Sequence, residues 1–388
     1  MAPTVLLTLG RLPKALDLAR GLHARGCRVL VAEPFRYHVC RMSRAIARSW
    51  QVTAPNQDPE RYLAEMARII ESESVDIVVP ISEEALHALR LAGRVNPSVR
   101  FYSAPAELIA RLHDKWTFNQ LAKDIGLPVP ESAPIEDPAA AALAATTDCI
   151  TKPRDGCSGI GFRRWPRGDA LRTAGLPPGT LVQRRVDGEH LSSFSIARAG
   201  RVIGTVVYRG RVFSGTVAVC FERVELPTAV EDWIRRFVSA TGYDGFLSFD
   251  FIVEAGRPLA IECNPRLTSG AHFVAPDTLA AAVLEDANAG FPLRPERLLQ
   301  QFYTTLTETQ KAMFGRGDFR ERLRHLIGAK DVVWSRQDPL PFLMMTPASA
   351  ELLALTLFKG MSFGEAATAD IAWFGAGPTL SRAAAPGT

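Results

Sequence analysis

Asp250, Glu262, Asn264 and Arg266 are the residues of this chain whose types and spacing could do chemistry together. They lie in Phe249-Asp-Phe-Ile-Val-Glu-Ala-Gly-Arg-Pro-Leu-Ala-Ile-Glu-Cys-Asn-Pro-Arg266, which reads as two β-strands joined by a short turn at Ala255-Gly-Arg-Pro258. Strand side chains alternate faces, so Glu262 and Asn264 project together while Cys263 points the other way. Asp250 precedes Glu262 by twelve residues (262 − 250), a separation that a hairpin folds back alongside. Two carboxylates and an amide oxygen on one rigid surface suit a hard cation such as Mg2+, above all when nucleotide phosphates complete its shell. Arg266, on the same face if the strand continues, would stand beside that cation as an anion clamp. Taken alone, the same residues also describe a half-solvated hairpin with ordinary surface charges.

Upstream, Cys149-Ile-Thr-Lys152-Pro is a short strand that carries a lysine and runs into Arg154-Asp-Gly-Cys-Ser-Gly-Ile-Gly161. Gly156, Gly159 and Gly161 allow positive φ and close backbone approach, so successive N–H groups can face a phosphate. No Gly-Lys-Ser/Thr follows, which excludes a Walker A loop. Next comes Leu181-Val-Gln-Arg-Arg-Val-Asp-Gly-Glu189, with strands at Leu191–Ala197 and Arg201–Tyr208 behind it. A strand ending near Gln183 can offer main-chain groups to an adenine edge. Glu189, past the Asp187-Gly188 turn, can accept from ribose hydroxyls. Without its neighbours this segment is a common β-turn-β unit.

Stepping outward to the elements that must hold these residues, the first hundred positions alternate strand and helix. Thr4–Leu9, Arg28–Ala32, Val75–Pro80 and Arg100–Tyr102 read as strands; helices run from Pro13 to Gly26, from Asp58-Pro59 to Ile70, and over Glu83–Leu91. Buried strands alternating with helices imply a parallel, Rossmann-like sheet with right-handed crossovers. After the first strand there is only Gly10-Arg-Leu-Pro, without the Gly-x-Gly-x-x-Gly of a dinucleotide loop. Ligands of open α/β sheets sit beyond the strands' carboxyl ends, where the Gly10–Pro13 turn and Ile81-Ser-Glu-Glu84 lie. Glu83 is a substrate-contact candidate there, or a helix-initial acid favoured by the macrodipole. From about Pro105 the pattern changes: Asp114-Lys115 opens a helix ending at Gly126, and a Pro/Ala-rich stretch follows as linker or surface helix.

Composition sets the frame. At 388 residues the chain has length for two or three domains, and 47% hydrophobic with 22% charged residues is ordinary for a globular protein. A net charge of +4 gives no case for nucleic acid or an anionic membrane. Cysteines 27, 40, 149, 157, 220 and 263 show no Cys-x-x-Cys or Cys/His clustering, which reads against a zinc site or disulfide framework and fits a reducing, cytoplasmic compartment. The start has no basic segment and too short an apolar run for a signal peptide. The longest membrane-span candidate, Leu340 to Phe358, is interrupted by Pro341, Pro347 and Glu351.

In combination and in this order, the pieces over roughly residues 4 to 290 resemble the ATP-grasp superfamily, in its biotin carboxylase and carbamoyl-phosphate synthetase branch. The twelve-then-two spacing and the Asn-Pro-Arg ending are the most specific marks. The resemblance implies an α/β architecture (α+β ATP-grasp): a Rossmann-like leading domain over 1–104, a two-lobed ATP-grasp domain with antiparallel sheets over 105–295, and an extension over 296–388. Its lobes would run over about 115–185 and 186–295. It implies that Lys115 and Lys152 contact ATP and that the loop through Gly156, Ser158, Gly159 and Gly161 folds over the phosphates. Gln183, Arg184 and Val186 would line the adenine, and Glu189 the ribose. Asp250, Glu262 and Asn264 would hold Mg2+, with Mn2+ as an alternative, and Arg266 would stabilise an acyl-phosphate. Two positions depart from the pattern: Asp250 stands where many members carry Glu, and Gln183 where an acid is common. Ser269 and His272 join Glu83 as substrate candidates.

Three readings follow. The leading one is an ADP-forming ligase that joins a small-molecule carboxylate to an amine through an acyl-phosphate. A second is a carboxylase-like or other acyl-phosphate-forming enzyme with a non-amine acceptor, and a third is a catalytically silent nucleotide-binding regulator. In the last hundred residues, Phe302–Arg324 reads as helix broken at Gly315-Arg-Gly317, and Pro347–Phe358 as a helix capped by Thr346. Asp331–Trp334 and Ile371–Phe374 read as strands, and the tail after Gly377 as frayed. This region would complete the site, cover the substrate or form a homodimer surface.

Overall fold

The computed structural model describes residues 2–156, 161–168, 176–286, 290–315, 318–359 and 366–373. Strands β1 (Thr4–Leu7), β2 (Arg28–Glu33), β3 (Arg48–Gln51), β4 (Ile77–Val79) and β5 (Arg100–Phe101) form a parallel sheet in the order β3-β2-β1-β4-β5. Helices α1 (Pro13–Ala24), α2 (Pro59–Ser72) and α3 (Ala85–Leu89) alternate with them. Val5, Leu6, Leu7, Val78 and Val79 are fully buried, as parallel strands covered on both faces must be. Pro13 and Pro59 each occupy a first helical position, where their missing N–H costs nothing, and Asp58 caps α2 by accepting from Arg61 N. The edge strand β3 was not foreseen: in Arg48-Ser-Trp-Gln the outer two residues are exposed and the middle two half-buried, and there is no apolar run.

Next come α4 (Ala106–His113) and α5 (Lys115–Asp124), hinged at Asp114, whose carboxylate accepts from Trp116 N and Thr117 N. A small sheet follows, built from β6 (Ser132–Pro134), β7 (Cys149–Pro153), β8 (Arg163–Trp165) and β9 (Thr180–Arg184) in the order β6-β9-β7-β8, with α6 (Pro138–Thr146) against it. The Pro/Ala-rich stretch thus contains both a strand and a surface helix. The large sheet takes β10 (Glu189–Arg198), β11 (Arg201–Ser214), β12 (Val217–Val224), β13 (Gly245–Glu254) and β14 (Arg257–Asn264), with α7 (Thr228–Thr241) inserted before β13. After α8 (Pro276–Val283), β15 (Leu298–Gln300) and β16 (Lys330–Asp331) extend that sheet to β14-β13-β10-β11-β12-β15-β16. Helices α9 (Phe302–Met313), α10 (Phe319–Gly328) and α11 (Leu340–Lys359) complete the described elements.

Two cores flank the large sheet. On one side Phe194, Tyr208 and Phe273 pack with Leu16 and Leu22 of α1 and Leu279 of α8, welding the parallel sheet to the antiparallel one. That contact needs a glycine: a Cβ at Gly21 would lie 2.0 Å from Pro276 O. On the other side Phe118 of α5 and Trp233 and Phe237 of α7 pack on Phe249 and Phe251, with Trp233 edge-on to Phe249 at 4.9 Å. Burying these aromatics locks the strand that carries Asp250.

Three expectations for the last segment need correction. The final helix starts at Leu340, and Pro347 lies inside it instead of opening it. Thr346-Pro347 carries a starting signal, but Phe342 N already bonds Pro339 O, so the helix nucleates earlier and passes through the proline. Ile371–Trp373 forms a turn and coil, not a strand. Of the strand expected over Asp331–Trp334, only Asp331 is paired as one, as the last residue of β16 (Lys330–Asp331), although Val332 N still donates to Gln300 O at 3.0 Å. The tail after Gly377 lies outside the described residues. Among those described, no helix is long and apolar enough to cross a membrane.

Candidate functional site

The β13–β14 hairpin turns at Ala255 and Gly256, both at positive φ (49° and 81°), the two-residue geometry whose twist matches its strands. From the turn inward the register runs Glu254 opposite Arg257 to Phe251 opposite Ala260, and there it shifts by one. Beyond the shift Asp250 faces Glu262 and Ser248 faces Asn264. A bulge at Ile261 therefore brings the two carboxylates directly across from one another, on the face opposite Phe249 and Phe251. The bulge does a second job. Ile261 O accepts from Lys152 Nζ at 2.9 Å, so the extra residue also aims the lysine of the small sheet at the hairpin.

Partners surround each group. Asp250 accepts from Ser192 Oγ at 2.5 Å and from Asn264 Nδ2 at 3.1 Å. Glu262 lies 3.1 Å from Lys115 Nζ, which also donates to Gly156 O at 2.7 Å. Lys152 donates to Gln183 Oε1 at 3.1 Å. Arg266 donates to Asn264 Oδ1 at 2.8 Å and pairs with the buried Glu83. Lys115 and Lys152 are only 8% and 9% exposed. Burial pulls the Lys152 ammonium down to about 8, the nearby Lys115 charge acting the same way against Glu262 and Asp250. Burial and the facing Glu262 push Asp250 up to about 6. Burial works against ionised Glu262 too, yet Lys115 and Lys152 outweigh it and hold that carboxyl below its usual range.

A surface with two like-charged carboxylates opposed across a ladder is short of positive charge between them. Among the described residues no group of three or more His, Cys, Asp or Glu is arranged as a metal site. The set here is two carboxylates and one amide, the oxygen-donor chemistry that suits Mg2+ when phosphate oxygens supply the rest. Asp250, Glu262 and Asn264 fit that ion.

Of the other residues singled out from sequence, Gly156 and Gly161 adopt the positive φ expected of them (101° and 75°). Ser158 and Gly159 lie outside the described residues. Gln183 holds Lys152 on one side and donates to Ser132 Oγ at 3.0 Å on the other. Arg184 N already donates to Glu131 O at 2.8 Å, and its guanidinium grips Glu254. Val186 is buried against Ile252 and Leu259 in the link to β10. Glu189 opens β10, exposed, with Arg209 Nη1 at 3.2 Å. Ser269 is half-buried at the start of a 3-10 turn. His272 sits elsewhere: it is 1% exposed, its Nδ1 lies 2.6 Å from Asp17, and Arg294 holds Asp17's other oxygen. Sequence reasoning passed over His113, whose Nδ1 lies 3.9 Å from Glu83 Oε2. Its position just before Asp114-Lys115 was the available signal.

Residues 112–270 match the family described as the ATP-grasp domain. No curated protein sequence matches the chain. Among solved structures, N5-carboxyaminoimidazole synthetase from Staphylococcus aureus complexed with ADP superposes with a TM-score of 0.64 at 15% identity, over 81% of this chain and 86% of that one. Biotin carboxylase from Campylobacter jejuni gives 0.61 at 16% identity, over 75% and 74%. Pyruvate carboxylase from Rhizobium etli gives 0.59 at 17% identity over 75% of this chain, which spans only 29% of that much longer protein. At these identities the likeness is one of fold.

Proposed function

We infer, from the match of residues 112–270 to the ATP-grasp domain family, an ATP-dependent ligase that activates a small-molecule carboxylate as an acyl-phosphate and couples it to an amine. The single observation that carries this reading is the bulged register that sets Asp250 against Glu262, with Lys115, Lys152 and Arg266 ranged along the same face. Asp250, Glu262 and Asn264 would hold Mg2+, which when bound supplies charge neutralisation for phosphoryl transfer. Lys152, steered by Gln183 and Ile261 O, and Lys115, steered by Gly156 O, bring fixed positive charge to the phosphates. Gly156 and Gly161, both at positive φ, border the segment that the sequence resemblance assigns to the phosphates. Arg266, held through Nη2 by Asn264 Oδ1 and Glu83, brings its guanidinium charge to the acyl-phosphate oxygens. The carboxylate attacks the γ-phosphorus and ADP leaves; the amine then attacks the acyl carbon and phosphate leaves. We divide the chain as 1–104, 105–295 and 296–388, with the last segment completing the site or forming an oligomer surface.

The test is hydroxamate formation. Protein, Mg-ATP and hydroxylamine are incubated with a panel of amino acids and dicarboxylates, and ADP and hydroxamate are measured together. At least one carboxylate should give both in equal amounts. ADP release without hydroxamate from any carboxylate would favour a carboxylase-like reaction, and the absence of both would leave a silent nucleotide binder.

A further inference from the structure

We propose that Glu83 and His113 form the subsite for the acceptor's ammonium group, with His113 Nδ1 taking the proton that the amine must lose before it attacks. The inference rests on the ligase reading above and extends it to a residue that the reading does not use. Amines of the α-amino and alkyl kinds are largely protonated at neutral pH, and a protonated nitrogen has no lone pair to offer an acyl-phosphate. The site therefore needs an anion to hold the cation and a base to discharge it.

His113 ends α4, immediately before the Asp114-Lys115 pair, and its side chain is 12% exposed. Its Nε2 lies 3.4 Å from Trp373 O. A carbonyl only accepts, so the proton belongs on Nε2 and Nδ1 presents its lone pair. That lone pair faces Glu83 Oε2 across 3.9 Å. The gap is too long for a hydrogen bond between them, and it suits a bridging ammonium nitrogen at about 2.8 Å from each. The same Glu83 carboxylate binds Arg266 through its other oxygen. A nitrogen held between Glu83 and His113 is thus one carboxylate away from the guanidinium assigned to the acyl-phosphate.

The other carboxylates are committed elsewhere: Glu262 to Lys115, and Asp250 to Ser192 and Asn264. Burial raises the cost of charge on Glu83, but the Arg266 guanidinium above all, with Lys14 and Lys115, favours its ionised form, an anion instead of a base. Asp155, at the foot of the glycine loop, also lies within charge range of His113. In the step, one ammonium N–H bond breaks and its electron pair stays on nitrogen. The proton passes to His113 Nδ1, the nitrogen bonds the acyl carbon, and the C–O bond to phosphate breaks with its pair leaving on phosphate. The second N–H proton passes to that departing phosphate, which leaves as hydrogen phosphate while the amide is left neutral.

Hydroxylamine tests this, because it is unprotonated at neutral pH and needs no base. Wild type and His113→Asn are compared at pH 7 with the carboxylate that gives hydroxamate, using hydroxylamine in one arm and the proteinogenic amino acids as amines in the other. MgADP binding is measured alongside, as a check on folding and the nucleotide site. For His113→Asn we expect the kcat of amide formation to fall about 100-fold, hydroxamate formation to stay within about threefold of wild type, and MgADP binding to be retained. Glu83→Gln should raise the KM for the amine more than that for the carboxylate. Equal loss of amide and hydroxamate in His113→Asn with MgADP binding retained would overturn the base role. If His113→Asn does not bind MgADP, His113→Gln takes its place under the same criteria. A wild type that makes hydroxamate but couples no amino acid would overturn the amine subsite and leave acyl-phosphate chemistry standing. No hydroxamate at all would overturn both.

Discussion

Two of the buried charge clusters in this chain are built on opposite plans. At the carboxyl end of the parallel sheet, Arg11 lies between Glu33 and Asp370 and stacks 3.4 Å over the Phe35 ring. Glu33, with no exposure, also accepts from Gly10 N, Arg11 N and Phe35 N at 2.9 Å each. Open α/β sheets bind ligands at such an edge, yet here the N–H groups that an anion would use are already taken by Glu33. Burial works against that carboxylate, but Arg11 and His38 hold it ionised. At the β13–β14 hairpin the charges are mismatched instead: Asp250 opposes Glu262, and Lys152 is pulled to about 8. A closed cluster stabilises a fold, whereas one left short of charge waits for a ligand. That contrast separates structure from function here better than burial does.

The largest effect expected from breaking the contrast is at the hairpin. Glu262→Ala should lower turnover at least about 1000-fold, since charge neutralisation of phosphoryl transfer is commonly worth several kcal/mol. Its urea midpoint should stay close to that of wild type. Near-normal kcat at saturating Mg-ATP would remove the hairpin from the reaction. The reverse pattern is expected of the closed cluster. Glu33→Gln leaves Arg11 buried with half its compensation and should cost about 3 kcal/mol, toward the low end for broken buried pairs, because Asp370 remains. Urea unfolding would show it, while KM for ATP in the protein that stays folded should hardly move. A Glu33→Gln protein as stable as wild type, with impaired ATP use, would invert the comparison.

The two clusters were also unequally legible. The hairpin could be read because strand alternation, a two-residue turn and a fixed offset are local rules. Even so, the bulge at Ile261 could not be, since nothing in Leu259-Ala-Ile-Glu262 announces an extra residue. Arg11, Glu33 and Asp370 could not be paired in advance, because 359 residues separate the ends of the arginine–aspartate contact. Helix α4, only eight residues with two buried side chains, escaped notice, and with it His113. Pro347 misled because a proline that may open a helix is also tolerated within one when earlier turns have formed. Four strands of the parallel sheet were readable from their apolar character, the edge strand β3 was not, and β15 and β16 joined the large sheet through pairings that only the tertiary fold defines.

Arg266→Lys probes the rim between the two regions, where Glu83 leaves the parallel sheet's edge to meet the hairpin. A lysine keeps the charge and loses the planar guanidinium whose Nη2 donates to both Asn264 Oδ1 and Glu83. We expect kcat to fall about 10- to 100-fold with MgADP binding nearly retained. Loss of nucleotide binding together with a lower urea midpoint would assign the residue to the structural side of the comparison.

The smallest effect, and the sharpest, is the pH dependence of nucleotide binding through Lys152. In the free protein its ammonium titrates near 8, because burial and Lys115 disfavour its charge more than Glu262 and Asp250 restore it. Phosphates bind the protonated form better, so ligand binding raises this pKa and takes up a proton whenever the free lysine has lost one. Below pH 7 the lysine is charged in both states and MgADP affinity should be flat on its account. Above about 8 the affinity should fall, approaching tenfold per pH unit once deprotonation is complete in the free protein. Lys152→Arg keeps its charge throughout this range. It should bind MgADP more weakly at pH 7, since a guanidinium does not fit between Gln183 Oε1 and Ile261 O as an ammonium does. Its affinity should nevertheless be level from pH 7 to 9. Calorimetric titration with MgADP in buffers of different ionisation enthalpy measures both the affinity and the proton uptake. A wild-type profile as level as that of Lys152→Arg, with no proton uptake at pH 8.5, would mean that Lys152 stays charged and that the hairpin is as well compensated as the Arg11 cluster.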